Sequence, residues 1–134
     1  MAALLAGDAR GTPGGVAGIE ARGFLLAAAA AYATGTGVIT IRKAGKLPRE
    51  VFAESYALEY GQAILELHKD DVPVGTRVLV LDDVLATGGT IGAAAALLER
   101  SGAVVAGVGV VLEIGGLSGR DNLAGYEVVS LQVV

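Results

Sequence analysis

The chain has 134 residues, 53% of them hydrophobic and 18% charged, with no cysteine and a formal net charge of −4. That balance excludes intrinsic disorder, a disulfide framework and a thiolate metal site, and it argues against nucleic acid as a partner, because phosphate-backbone affinity needs clustered Lys and Arg. The longest apolar runs, residues 24–33 and 103–112, reach about half of the ~20 residues that a spanning helix needs, and MAALLAGDAR has no basic leader. The expectation is a single soluble domain over residues 1–134, cytoplasmic, with no membrane partner.

In chain order, GVAGI (15–19) and GVITI (37–41) are short apolar stretches that predict strands, and the Ala- and Leu-rich GFLLAAAAAYA between them predicts a helix. Together they make a βαβ unit. RKAGKLPRE and FAESYALEYGQAILELHKDD then break the rhythm. Alternation over residues 63–67 predicts a strand in a hairpin rather than a core helix, and the whole excursion, residues 42–71, exceeds a simple crossover and is expected to act as an inserted lid. His68, at its end, is expected at the surface. RVLVLDD (77–83) predicts a strand buried on both faces, GTIGAAAALLERSG (89–102) a helix closed by Gly102, and VVAGVGVVLEI (104–114) a further strand. SGRDNLAG reads as a loop before a last strand in YEVVSLQV (126–133). Strands alternating with helices imply an α/β fold: a mostly parallel sheet covered on both faces.

The stretch VLVLDDVLATGGT, residues 78–90, carries the chemistry. A parallel sheet binds ligands beyond the carboxyl ends of its strands, where Asp82 and Asp83 are expected. Residues 86–90, Ala86, Thr87, Gly88, Gly89 and Thr90, then form a turn into a helix whose unpaired N–H groups and dipole suit a phosphate. The glycines let backbone approach it closely. Carboxylates accept but do not donate, so beside an anion nest they suit vicinal hydroxyls or a hydrated Mg²⁺. A phosphorylated sugar satisfies both halves. An isolated Asp-Asp before Thr-Gly-Gly can equally be a solvated turn, and neither GxxxxGK[ST] nor GxGxxG is present at a strand-to-helix junction.

The thirteen-residue order resembles the phosphoribosyl-pyrophosphate signature of the type I phosphoribosyltransferases. GIEARGF (18–24), IRKAGKLP (41–48), SYALEYG (55–61) and DDVLATGGT (82–90) stand in the order seen in the adenine branch of that family, and the similarity continues through VVLEIGGLSGRDNLAG. The small Ala86, where oxopurine relatives carry an acid, is similar to that branch. The resemblance implies a Rossmann-like type I fold and transfer of the 5-phosphoribosyl group from phosphoribosyl pyrophosphate to adenine, giving AMP and pyrophosphate in purine salvage. It also implies Mg²⁺ and a homodimer. It makes Glu20, Ala21 and Arg22 the pyrophosphate loop, with Arg42, Lys43 and Lys46 adding positive charge near the leaving group. It makes Glu59 the proton-handling carboxylate and Tyr60 a cover for the sugar, both on the mobile loop. Relatives carry a longer segment ahead of the first strand, so the chain is expected to be N-terminally short. The alternative is a phosphoribosyl-pyrophosphate sensor without turnover, or a truncated enzyme without base specificity; Glu59, Tyr60 and Lys43 favour the full enzyme over the sensor.

Overall fold

Short β-branched stretches between alanine-rich segments leave the chain little choice but strands separated by helices. The computed structural model describes residues 14–43, 51–58, 61–68 and 70–134. The first βαβ unit is β1 (Gly15–Ile19), α1 (Arg22–Thr34) and β2 (Gly37–Lys43), followed by a hairpin of β3 (Val51–Leu58) and β4 (Gly61–His68). The second unit is β5 (Arg77–Leu85), α2 (Gly89–Arg100) and β6 (Val104–Glu113), and two 3-10 turns, Gly115–Leu117 and Gly119–Leu123, lead to β7 (Val128–Val133). Among the described residues the strands form one sheet in the order β3-β4-β2-β1-β5-β6-β7. Its β2-β1-β5-β6-β7 portion is parallel, and the hairpin adds antiparallel pairs at the β2 side.

The period of two along the strands divides the apolar side chains between two faces. Val16, Leu79 and Leu81 pack under Ala27, Ala30 and Ala31 of α1, whereas Ala17, Ile19, Val78 and Val80 pack with Ile91, Ala94, Leu97 and Leu98 of α2. Each face therefore has its own cluster, as a sheet covered on both sides requires. The chain leaves α2 at Gly102, whose φ of 94° and N–H to the Glu99 carbonyl close the helix where the sequence predicts.

The alternation in β4 reads out as burial: Leu65 and Leu67 are fully inside while Ile64 is 43% exposed. Pairing of Arg42 with Glu66 and of Lys43 with Leu65 attaches the hairpin to the end of β2. Its other strand leans on α2. An Arg100 Nη1 donates to the Ala53 carbonyl at 2.6 Å, and the guanidinium lies over the Phe52 ring at 5.6 Å.

Four details differ from the sequence-based expectation. β5 does not stop at Asp83 but continues to Leu85, because Val84 and Leu85 pair with Leu112 and Glu113 of β6. The last strand begins at Val128, and the preceding loop contains 3-10 turns. His68 is buried rather than on the surface, 7% exposed, because the hairpin brings the end of β4, with the buried Leu67, back to the core. Its Nδ1 meets no hydrogen-bond partner among the described residues.

Candidate functional site

The chain reverses its direction of travel across the sheet between β1 and β5, since β2 lies on one side of β1 while β5, β6 and β7 run outward on the other. Open α/β sheets place their ligand crevice at such a switch. Pairing of β1 with β5 ends at Gly18 and Leu81, so Asp82 and Asp83 come immediately past the point where β5 loses its β1 neighbour. Both acids lie inside β5 beyond its last pairing with β1, Asp82 buried and Asp83 bordering an open hollow.

Their environments differ. Asp82 is 9% exposed, and its Oδ1 accepts the N–H of Asp83 at 2.9 Å. The start of α1 presses against it: a Cβ on Gly23 would stand 3.1 Å from Asp82 Oδ1 and 3.0 Å from the Leu81 carbonyl, so only glycine admits this approach comfortably. Burial pushes the Asp82 carboxyl up from its ordinary 3.8 to about 7; the Asp83 N–H opposes that rise, the neighbouring Asp83 carboxyl adds to it, and Arg22 opposes it. Asp83, more open, receives Arg22 Nε at 2.8 Å. The arginine of the expected pyrophosphate loop therefore rests on the second acid, with most of its side chain in solvent.

Residues 86–90 form the turn into α2, and a small open cleft is lined by Leu85, Ala86, Thr87, Gly88, Gly89, Thr90 and Ile91. Gly88 occupies the N-cap position with a φ of 89° and, being glycine, offers no side-chain cap of its own. Thr87 Oγ1 bends back to accept the Gly89 N–H at 3.4 Å. First-turn N–H groups at the positive end of a helix, here touched by a side chain only through that long contact, are a preformed anion cradle.

The other predicted residues divide. Glu20 ties the β1–α1 turn to β2: its N–H donates to the Ile41 carbonyl and its Oε1 accepts the Lys43 N–H at 3.1 Å, and the Glu20–Ala21 peptide is cis. Arg42 lies over the Phe24 ring at 5.1 Å, which draws its charge toward α1. Lys43 is exposed at the end of β2. Lys46, Glu59 and Tyr60 lie outside the described residues. Beside the acids, Arg22, Leu25, Leu26, Asp83, Val84, Val111 and Leu112 border a mostly apolar hollow of about 380 Å³. Among the described residues no group of three potential ligands could hold a metal ion, and no helix is long and apolar enough to cross a membrane.

A family model described as a phosphoribosyl transferase domain matches residues 1–133. The chain belongs to the phosphoribosyltransferase family. It is 73% identical over 116 residues to an adenine phosphoribosyltransferase of Arthrobacter sp., a match that covers 87% of this chain and 63% of that protein. It thus spans less than two thirds of that relative's length. Among solved structures, the adenine phosphoribosyltransferase of Thermoanaerobacter pseudethanolicus superposes with a TM-score of 0.89 at 46% identity, over 92% of this chain and 72% of that one. The Saccharomyces cerevisiae enzyme, complexed with an imino-altritol bisphosphate and adenine, superposes with a TM-score of 0.87 at 38% identity, over 90% and 68%. The mostly parallel sheet with two helices is the type I phosphoribosyltransferase fold.

Against this phosphoribosyltransferase frame, the sequence reading missed the turn at residues 118–123. Asn122 Nδ2 donates to the Thr87 carbonyl at 2.6 Å. A Cβ on Gly88 would lie 2.7 Å from the Gly119 carbonyl oxygen, and one on Gly119 would lie 2.2 Å from the Ala86 carbonyl oxygen. Arg120 fixes the turn to the sheet through Glu113, at 2.7 and 3.2 Å, and through the Val128 carbonyl at 2.6 Å. The Gly-Arg-Asp-Asn run reads in sequence as an ordinary turn, so nothing local marked its contact with residues 86–88.

Proposed function

We propose that the chain transfers the 5-phosphoribosyl group from phosphoribosyl pyrophosphate to adenine, releasing pyrophosphate and giving AMP, as a purine-salvage enzyme. The observation that carries this reading is the placement of Asp82 and Asp83 beside the cleft of residues 85–91 at the β1–β5 switch: hydroxyl acceptors next to an anion cradle. The similar yeast enzyme is complexed with an imino-altritol bisphosphate and adenine, which supports the choice of base and sugar. The names of the other similar enzymes agree.

In this mechanism the N–H groups of residues 87–90 hold the 5-phosphate, with the Ala86 backbone at the edge of that cradle, and the two acids take the ribose hydroxyls. Arg22 leaves Asp83 for the pyrophosphate, where its planar fork suits two phosphoryl groups. Glu20 and Ala21 shape that turn, and Lys43, Lys46 and Arg42 add positive charge around it. The C1–O bond to pyrophosphate breaks as the C1–N9 bond to adenine forms, and Glu59 accepts the N9 proton. Residues 42–71 act as a lid within the single domain of residues 1–134, with Tyr60 over the sugar, so that water does not capture the electron-poor C1.

Mg²⁺ fits this donor set. It is a hard cation that takes one or two carboxylates and completes its shell with water and substrate oxygens, and Asp82 and Asp83 are two adjacent carboxylates with no third protein ligand beside them among the described residues. When bound, Mg²⁺ neutralises charge developing on the leaving pyrophosphate. The working form is a cytoplasmic homodimer.

Product-resolved turnover with phosphoribosyl pyrophosphate, Mg²⁺ and adenine, with guanine and hypoxanthine alongside, tests the proposal. AMP from adenine alone is the expected result. No nucleotide from any base, in a sample that binds ribose 5-phosphate, would leave only a sugar-phosphate binder.

A further inference from the structure

We infer that Asn122 is a positioning residue for the phosphate cradle, holding the Thr87–Gly88 peptide from behind so that its N–H is presented to the anion. The inference rests on the phosphoribose reading for its consequence but on separate geometry for its cause. Asn122 lies 35 positions from Thr87 in sequence, on the 3-10 turn Gly119–Leu123, and donates Nδ2–H to the Thr87 carbonyl at 2.6 Å. It does not line the cleft of residues 85–91. In a trans peptide the carbonyl and the following N–H point in opposite directions, so fixing the Thr87 oxygen toward Asn122 turns the Gly88 N–H away from it.

The same turn fills the space behind the cradle. The Gly119 carbonyl stands where a Gly88 side chain would begin, and the Ala86 carbonyl stands where a Gly119 side chain would begin. The two backbones therefore touch through reciprocal glycines, with the Asn122 hydrogen bond alongside. Behind this contact, Arg120 joins the turn to Glu113 and to the Val128 carbonyl, and the Ser130 hydroxyl donates to Glu113 Oε1 at 2.8 Å. The cradle is thus anchored through the turn to β6 and β7, in addition to its own attachment to β5 and α2. An anion cradle gains from such support because donors already oriented lose less freedom when the ligand arrives.

The test uses Asn122→Ala and Asn122→Asp in the full chain, with Asp121→Asn as the neighbouring control, and two readouts. The first is the dissociation constant of ribose 5-phosphate by calorimetry. Loss of one oriented hydrogen bond predicts about 3- to 10-fold weaker binding for Asn122→Ala. A larger loss is expected for Asn122→Asp, which cannot donate when ionised and brings negative charge toward the anion. Asp121→Asn should bind as the parent does. The second readout is amide hydrogen exchange without ligand, which should quicken at residues 87–90 in Asn122→Ala while the β5 and β6 amides stay protected. Unchanged exchange there, or exchange that rises equally across the sheet, overturns the positioning role. If the parent chain fails to bind ribose 5-phosphate, the proposed function falls, and the exchange result still decides whether Asn122 holds the loop.

Discussion

Replacing Asp82 with Asn should stabilise the chain above neutral pH and make no comparable difference in acid. Asp82 is almost fully enclosed by the start of α1 and the end of β5, and its carboxyl is pushed up from 3.8 to about 7 chiefly by that burial. Because the folded-state value lies above the unfolded one, the favourable contribution is fully present below about pH 4 and is lost as pH rises through about 7. At 1.36 kcal/mol per pKa unit, the rise corresponds to about 4 kcal/mol across that window, an upper bound because Asp83 and Arg22 readjust when Asp82 ionises. An amide at position 82 resembles the protonated acid, keeps an oxygen for the Asp83 N–H and does not ionise. Urea unfolding of both chains from pH 4 to pH 8.5 reads the difference directly. The Asp82→Asn chain should pull ahead as pH rises, level off near pH 8 at about 2 to 4 kcal/mol, and lose Mg²⁺-dependent phosphosugar affinity. A gap that is flat with pH, or a variant less stable at pH 8, would refute the claim that this carboxylate is held in the folded chain against its preference for water.

Three further outcomes are expected. Gly88→Ala puts a Cβ 2.7 Å from the Gly119 carbonyl at a φ of 89°, so ribose 5-phosphate affinity should fall more than about tenfold while far-UV circular dichroism stays helical; affinity within twofold of the parent would show that the loop repacks freely. Asp83→Asn removes the charged partner of Arg22 and a proposed ribose acceptor, and should weaken phosphoribosyl pyrophosphate about tenfold, as a hydrogen bond to a charged group warrants. An unchanged dissociation constant would remove the ribose contact. Glu59→Gln should lower kcat by about 10² or more, the usual scale of general acid–base catalysis, with little change in ribose 5-phosphate binding; equal losses in turnover and binding would assign Glu59 to binding instead.

The legible parts of the fold are those whose signal is local. Leu65 and Leu67 alternate with Ile64 and Glu66, and the strand follows; alanines from Ala27 to Ala31 specify a helix slim enough to lie on Val16 and Leu79. Less legible was anything decided by a distant strand. The strand was expected to end at Asp83, yet pairing of Val84 with Leu112 and of Leu85 with Glu113 carries β5 on to Leu85, since ladder formation outweighs the local signal. His68 looks like a surface residue beside Lys69 and Asp70, and only the return of the hairpin toward the core buries it. The nearness of Asp82, Asp83 and residues 86–90 followed from one contiguous stretch, and Arg22 was placed at a neighbouring strand end by the βαβ order. Its resting contact with Asp83 was not foreseen, because the length of a side chain and the tilt of α1 decide it. The support from Asn122 needed the β6 register and a turn conformation, neither of which a single sequence reveals.

The most direct measurement of the central claim is a titration of the isotopically labelled chain with ribose 5-phosphate and Mg²⁺, followed residue by residue through backbone amide resonances. A phosphoribose site at the β1–β5 switch predicts saturable shifts concentrated at Asp82, Asp83 and residues 87–90, with a second group at residues 20–22 appearing when phosphoribosyl pyrophosphate replaces the monophosphate. Shifts confined to other parts of the sheet, or none at saturating ligand, would contradict it.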